Sequence, residues 1–535
     1  MECHCIRAVE LPHTTRLYSS YLQDFSSVSR FYAHPPTFES ILRVASSVSP
    51  EPASRRSIAE ILRSQNRDFG SDASVETALD RFASGAAAIV TGQQVGLFSG
   101  PSFTIYKALT ALRVVEELNS AGISAVAIFW LASEDHDLAE INHCFWPSRE
   151  GAEKIELPPS DQEGRRAGEV LLGDAVLAAV QNATAKLEGP AADQIRTALT
   201  ESYSPSETYG SAFGKLLAKL FAGKGLILLD PLSPELHLLA EPIYRSALEQ
   251  HAQLSQELIS RAKDLERAGY HVQVKVVEES TPLFVNLDGK RLPIRAQNDG
   301  FSVGRRSLSL SELTDLLTQS PSDFSPNVLL RPVIQDVLLS TVSYVAGPSE
   351  IAYLAQASVV YERLHVRMPV ILPRASLTLI DPHSVRLLRK YGLEFSEILE
   401  GKANLRAKME GKLLPKTLTR RFETGEKSLQ KMLTELREQV TKLDPTLGGA
   451  MDTAESKMLF QFSKLKEKAG HAMAVRSSIL DAHERELIAR LYPDGELQER
   501  RHCFLPLLAA QGMELLDELK HRIKLGGAQH QVLYL

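Results

Sequence analysis

The sequence predicts an α/β protein built on a parallel sheet, and three observations carry that prediction. Short apolar runs of strand character alternate with amphipathic helical stretches over about 290 residues. The first such unit reads strand, helix, strand, and a right-handed crossover makes its two strands parallel. The chain has 535 residues, too many for one hydrophobic core, so insertions or further structural units are expected.

The elements follow in order. Up to about Ser84 the pattern is mostly helical, broken at His34–Pro36 and Val48–Pro52. "AAAIVTG" then reads as a buried strand, and "SFTIYKALTALRVVEELNSAG" as a helix closed by glycine. "ISAVAIFWLA" is the second strand, and "SEDHDLAEINH" opens a new helical element with Ser133 as N-cap. Further strands are expected at "GLILLD", "HVQVKV", "PLFVN", "STVSYVAG" and "MPVILP". From Asp381 the texture changes. Leu429, Leu433, Leu436, Val440 and Leu443 form one apolar seam; Met451, Ala454, Met458, Phe462, Leu465, Ala469 and Ala472 form another beyond "DPTLGG". Two seams joined by a short turn make an antiparallel helical hairpin, with a first arm of about 20 residues and ~30 Å. The expected division is 1–380 for the sheet-based core, 381–490 for the helical arm and 491–535 for a segment packing back on the core.

Composition narrows the class. A net charge of −6 argues against nucleic acid as the main partner, which clustered Lys and Arg would attract. Four cysteines are too few and scattered for a disulfide framework and fit a reducing cytosol. Cys3-His4-Cys5, at a terminus expected to be mobile, supplies at most half a metal site. No basic stretch followed by an apolar one opens the chain, and "AVAIFWLA" falls far short of the ~20 residues that span a bilayer. A soluble, cytoplasmic protein is expected, with neither membrane nor nucleic-acid partner.

Ligands of an open α/β sheet bind beyond the carboxyl ends of its strands. "TGQQVGLFSGPSFTIYK" sits at such an end, with Gly92, Gly96 and Gly100 allowing close backbone approach and a following helix N-terminus favouring an anion. Lys107 would add charge one turn into that helix, and Gln93 and Gln94 either face the ligand or cap the turn. The spacing is neither a P-loop nor a dinucleotide fingerprint, and a tight turn without ligand also fits it. On the same rim, Asp135, His136 and Asp137 suit acid–base work, amine binding or a metal; an acid-rich helix start favourable to the macrodipole is the structural alternative. His136 and His143, seven apart on an expected helix, stand two turns from each other, so a zinc site would need other ligands. Asn327, Arg331 and Asp336 lie among apolar residues, and a buried arginine usually meets a carboxylate of protein or ligand. Glu350 and Tyr353 follow the Gly347-Pro348 turn, and Arg374 and Ser376 follow the last strand.

Taken together, "TGQQVGLFSGPSFTIYKA", "FWLASEDHDLAEIN", "SPNVLLRPVIQD", "AGPSEIAYLAQ" and "LYPDGELQERRH" resemble, in the same order along essentially the whole chain, the BshC family of bacillithiol-biosynthesis cysteine-adding enzymes. The chain departs from the family pattern at Ser349 and Leu354. The resemblance implies a Rossmann-like core related to nucleotidylyl transferases and class I aminoacyl-tRNA synthetases, with connecting insertions and a coiled-coil arm that makes a homodimer. It implies a ligase joining L-cysteine to glucosaminyl malate, with ATP as co-substrate, with or without Mg²⁺, and no tightly bound cofactor or resident metal. By analogy with those synthetases, Gly92 to Pro101 and Lys107 would receive nucleotide phosphates, and Pro373–Ser376 would stand for a mobile phosphate loop. Asp135, His136 and Asp137 would hold or deprotonate the amine, and Arg331 would take a carboxylate. Two other classes compete: a metal-dependent hydrolase using Asp135, His136, Asp137 and His143, and a non-catalytic nucleotide-binding dimeric scaffold.

Overall fold

A computed structural model describes residues 2–148, 151–160, 162–297, 300–412, 416–474 and 478–535. Its centre is a five-stranded sheet of β1 (Ala87–Gln94), β2 (Ala125–Ala132), β3 (Leu226–Leu229), β4 (Ser343–Ala346) and β5 (Val370–Pro373) in the order β5-β4-β1-β2-β3. Every pairing is parallel. The chain winds outward from β1 to β3, then returns to β1's other side for β4 and β5. The direction reverses between β1 and β4, and this switch point is where an open sheet leaves a crevice.

Alternation explains why these runs become central strands. Ile89 of β1 and Phe129 of β2 join the core on one face, while Ala88, Val90, Val126, Ile128 and Trp130 join the core on the other. Both faces are covered, so each strand reads as continuously apolar. Helix α1 (Phe103–Ser120) makes the first crossover; α2 (Arg331–Leu339) and α3 (Pro348–Arg363) flank β4.

Two strand expectations are corrected. "HVQVKV" forms no strand; the Gln356 side chain instead donates to the Val274 carbonyl and accepts from its N–H, at 2.8 Å each, taking the place of a ladder. "PLFVN" is a strand, Ser280–Leu287, but of a separate antiparallel sheet with Lys290–Gln297, Gly300–Val303, Arg306–Leu308 and Phe324–Pro326. That inserted sheet stands over the crevice. The N-terminus is ordered as well: Glu2–Arg7 pairs antiparallel with Gln529–Tyr534, which also pairs in parallel with Ser376–Ile380. Cys3 and Cys5 therefore sit in a strand, their sulfurs 4.0 Å apart.

The arm consists of α4 (Lys416–Leu443) and α5 (Gly448–Ala474). With 28 residues, α4 is longer than the seam implied, about 42 Å at the helical rise. Phe422 meets Phe462 edge to face at 5.7 Å, and Arg437 pairs with Asp452 at 2.7 Å. Leu433 is buried, but Leu436 and Leu443 of the same seam are 47% and 85% exposed. Cys503, Phe504, Leu505 and Leu508, near the C-terminus, share the core that covers one face of the sheet.

Candidate active site

A cavity of about 880 Å³ opens at the switch point. Its floor is the carboxyl ends of the central strands: Gly92, Gln93 and Gln94 at the end of β1, Trp130, Ala132 and Glu134 along and beyond β2, Gly347 after β4, and Arg374 after β5. The inserted sheet and α2 supply the opposite wall, including Phe284, Arg291, Arg295, Asn327 and Arg331. Lys107, Asp135, His136, Glu350 and Tyr353 also line it. Eleven of the residues singled out by sequence thus share one cavity, though they span chain positions 92 to 374.

Five do not: Gly96, Gly100, Asp137, Asp336 and Ser376. The strand β1 runs on to Gln94, so the glycine-rich turn begins later than its sequence suggests and is buried against protein. Phe98 N–H donates to the Tyr203 hydroxyl at 2.9 Å, and Cys503 donates to the Phe98 carbonyl at 3.3 Å. Ser102 N–H donates to the His502 carbonyl at 2.8 Å. Phe98, Ser99 and Gly100 have φ of 52°, 74° and 64°, an unfavourable turn for the two non-glycine residues that surrounding contacts fix. A β-carbon on Gly92 would stand 2.7 Å from the Trp130 carbonyl oxygen. This glycine is needed for strand approach, whatever the cavity holds. Asp137 caps the short helix Leu138–Ile141 by accepting from Ala139 N–H at 3.1 Å. Asp336 is buried behind α2, where it accepts from Tyr361 and from Gln335 at 3.0 Å; burial pushes its carboxyl up to about 6. Ser376 binds Glu499 and His530 at 2.9 and 2.8 Å, in a smaller neighbouring cavity. Pro373 ends β5 and Ser376 begins the strand Ser376–Ile380; between them Arg374 is buried and paired with Glu499 at 2.8 Å. His143 starts a strand, His143–Pro147, instead of continuing a helix. Among the described residues no group of three or more His, Cys, Asp or Glu side chains is placed to hold a metal ion.

Two cations within the cavity, Lys107 buried and Arg331 half-buried, differ sharply. Lys107 Nζ pairs with Glu350 at 2.5 Å and donates to the Gly92 carbonyl at 2.7 Å and Gln93 Oε1 at 3.0 Å. Burial opposes the charge of Glu350, yet Lys107, the Gly347 N–H and the Tyr344 hydroxyl outweigh it and keep the carboxyl below its usual range. Arg331 donates to the Tyr353 hydroxyl at 2.8 Å and to Gln335 at 3.3 Å. Among the described residues it has no carboxylate within ion-pair distance. Asn327, beside it, caps the start of α2 by accepting from Leu329 and Leu330 N–H at 2.9 and 3.0 Å.

The acidic wall is also organised. Gln94 donates to Asp135 at 2.8 Å and Glu140 at 2.7 Å, which places the role of this glutamine with the acids, not the turn. Arg291 Nη1 donates to His136 Nδ1 at 3.1 Å, and its other nitrogens hold Ser325 and the Pro326 carbonyl at 2.8 Å. A guanidinium has no acceptor, so Nδ1 accepts and the ring proton resides on Nε2. Burial and Arg291 lower the His136 pKa, so the ring is a neutral N–H donor toward the cavity.

Sequence reasoning gave Glu134 no role of its own within the acidic cluster Ser133–Asp137 and missed Arg291, Arg295 and Lys275; all four line the cavity. A signal existed for three of them. Trp130, Ala132 and Glu134 alternate along one strand direction, as do Arg291, Pro293 and Arg295, and all six line the cavity. Ser349, where the chain departs from the family pattern, lines it too, whereas Leu354 is fully buried.

The fold and the site define an α/β protein with a Rossmann-like strand order, a cavity at the switch point and a helical hairpin appended after it. The description "Bacillithiol biosynthesis BshC, N-terminal Rossmann-like domain" matches residues 1–375, and "Bacillithiol biosynthesis BshC, C-terminal coiled-coil domain" matches 377–535. The chain belongs to the BshC family. It is 40% identical over 516 residues to a protein of Koribacter versatilis, covering 96% of each chain. It is 35% identical over 539 residues to one of Solibacter usitatus, covering 100% of each, and 31% identical over 529 residues to one of Salinibacter ruber, covering 97% of this chain and 96% of that one. All three relatives carry the name "Putative cysteine ligase BshC".

Proposed function

We propose that the protein is a ligase that adds L-cysteine to glucosaminyl malate in bacillithiol biosynthesis, with ATP activating the cysteine carboxylate. The observation that carries this reading is the division of the cavity: a half-buried guanidinium, Arg331, without a carboxylate partner among the described residues, lies across from an acidic wall of Glu134, Asp135 and Glu140. Such a site suits one ligand carboxylate and one ligand amine, the two groups an amide ligase must bring together. The names carried by the relatives point to the same reaction class.

Amide formation from a carboxylate and an ammonium is unfavourable in water, so the carboxylate must first become a better acyl donor. Its oxygen attacks a phosphorus of ATP, and ADP leaves if that is the γ-phosphorus or pyrophosphate if it is the α-phosphorus; the acceptor amine then displaces phosphate or AMP from the acyl carbon. Holding the reactants together and balancing their charge is the protein's contribution. Arg331 orients a carboxylate. Lys275 and Arg295, at the mouth, offer charge to phosphate or to the malate carboxylates. His136 donates through Nε2, and Asp135, fixed by Gln94, receives the amine. Lys107 and Arg374, spent on Glu350 and Glu499, shape the floor. The reading includes a cytoplasmic homodimer formed through the outward apolar face of the arm, where Met432, Leu436, Met458 and Leu465 are exposed. No described helix is long and apolar enough to cross a membrane.

The test is incubation of the purified protein with ATP, cysteine and glucosaminyl malate. Mass spectrometry should detect the cysteinyl amide, and the nucleotide product, AMP or ADP, identifies the phosphorus attacked. Absence of the amide, with the protein folded, contradicts the proposal.

A further inference from the structure

We propose that Glu134 is the general base of the acyl-transfer step, taking a proton from the acceptor amine. The inference rests on the ligase reading above and adds a catalytic residue to it.

Four acids stand near the end of β2, and three of them are committed. Asp135 accepts from the His136 N–H at 2.8 Å and from Gln94; Glu140 accepts from Gln94; Asp137 caps a helix outside the cavity. Glu134 alone is uncommitted. It is 5% exposed, lines the cavity, and its Oε1 is sealed from solvent without a hydrogen-bond partner among the described residues. The group facing it is His237, whose Nε2 lies 3.8 Å from that oxygen and is likewise unpartnered. Behind the ring, Tyr244 holds Nδ1 at 3.2 Å. A buried carboxyl left without donors costs several kcal/mol of order, and such a cost is usually kept where it serves a function.

The surroundings set the proton affinity. Burial raises the carboxyl to about 7, against the opposing charges of Arg291, Arg166 and Arg331 and with Asp230 adding to the rise. His237 is pushed down to about 4 by burial and Arg166, so the ring facing Glu134 is neutral. A carboxyl that exchanges its proton near neutrality matches what a base must do. The competing candidate, His136, has its acceptor nitrogen occupied by Arg291.

The step balances as follows. One N–H proton of the acceptor ammonium passes to a Glu134 oxygen, freeing the nitrogen lone pair. The nitrogen attacks the acyl carbon of the cysteinyl–phosphate mixed anhydride; the C–N bond forms and the C–O bond to phosphate breaks, its electron pair leaving on the phosphate. The second amine proton leaves with that group, and Glu134 returns its own to solvent.

Glu134→Gln in the full chain separates the steps. Cysteine-dependent ATP consumption should persist, while amide formation with the amino sugar falls by ~10²-fold or more. Transfer to hydroxylamine, an amine largely unprotonated at neutral pH, should survive. Retained transfer to the amino sugar, or equal loss with both amines, overturns the inference. A wild-type protein without cysteine-dependent ATP consumption overturns the ligase reading itself and takes the inference with it. Should the variant not fold, the wild type suffices: kcat at saturating acceptor should climb with pH through a limb near 7, and a flat profile there contradicts a Glu134 base.

Discussion

Lys107 and Arg331 are both cations enclosed at the same switch point, and they have opposite fates. Lys107 extends from α1 into a closed set of partners, with Glu350 at 2.5 Å and two oxygens of the β1 end. Arg331, from α2, touches only neutral groups among the described residues. The same contrast separates the two segments that follow β1 and β2. The glycine-rich turn is held by Tyr203, His502 and Cys503, whereas Glu134 Oε1 has no donor among the described residues. Where charge and hydrogen bonds close on the protein, a side chain holds the fold; where they stay open toward a cavity, it awaits a ligand.

Lys107→Met should give the largest change. It leaves Glu350 buried without its counter-ion, a loss of ~3–5 kcal/mol, measured by urea unfolding at neutral pH. A loss below ~1 kcal/mol would erase the distinction from Arg331. Next comes the pH dependence of Glu134. Its folded pKa of about 7 lies above the ordinary glutamate value of 4.5. Between these values the folded chain holds a proton that the unfolded chain has released, so this group's contribution to stability falls as pH rises. Glu134→Gln should therefore gain on the wild type by ~3 kcal/mol between about pH 5 and 8. A gap that stays constant with pH would mean the carboxyl is not perturbed. Arg331→Met should cost about 10²-fold in kcat/KM, ~3 kcal/mol in the transition state, with unfolding free energy changed by ~1 kcal/mol or less. The reverse pattern would make it a structural residue. Among the glycines, Gly92→Ala should destabilise by ~1–3 kcal/mol through its clash with Trp130. Gly96→Ala, whose added carbon would meet Gly100 Cα at an ordinary 3.4 Å, should alter stability and kcat/KM least. Strong loss of activity in the latter would restore a ligand to the buried turn.

Much of this was legible in the chain. Continuous apolar strands joined by amphipathic helices announced the parallel sheet, because both of its faces are covered. The switch point followed from strand ends rich in glycine and charge, and it brought Gln94, His136, Arg331 and Glu350 to one cavity. What a strand end faces was not legible. Gly96 and Gly100 have the residue types of a phosphate loop but pack against a segment 400 positions away, as the Ser102–His502 contact shows. Asp336 sits one residue beyond Gln335, a partner of Arg331, yet is held in the core by Tyr361. The inserted antiparallel sheet, with Arg291 and Arg295, carries no motif at all; only alternation marks its cavity face. In the arm, Phe462 of the second seam meets Phe422, seven residues before Leu429 of the first, whereas Leu436 and Leu443 of that first seam stay exposed; spacing does not say how far along the helix the packing runs.

The most direct test of the central claim is a crystal structure of the protein with cysteine and a non-hydrolysable ATP analogue. The account predicts the amino-acid carboxylate on the Arg331 guanidinium, inside the cavity at the β1–β4 switch point. Ligand bound elsewhere, with Arg331 still facing only tyrosines and Gln335, would contradict it.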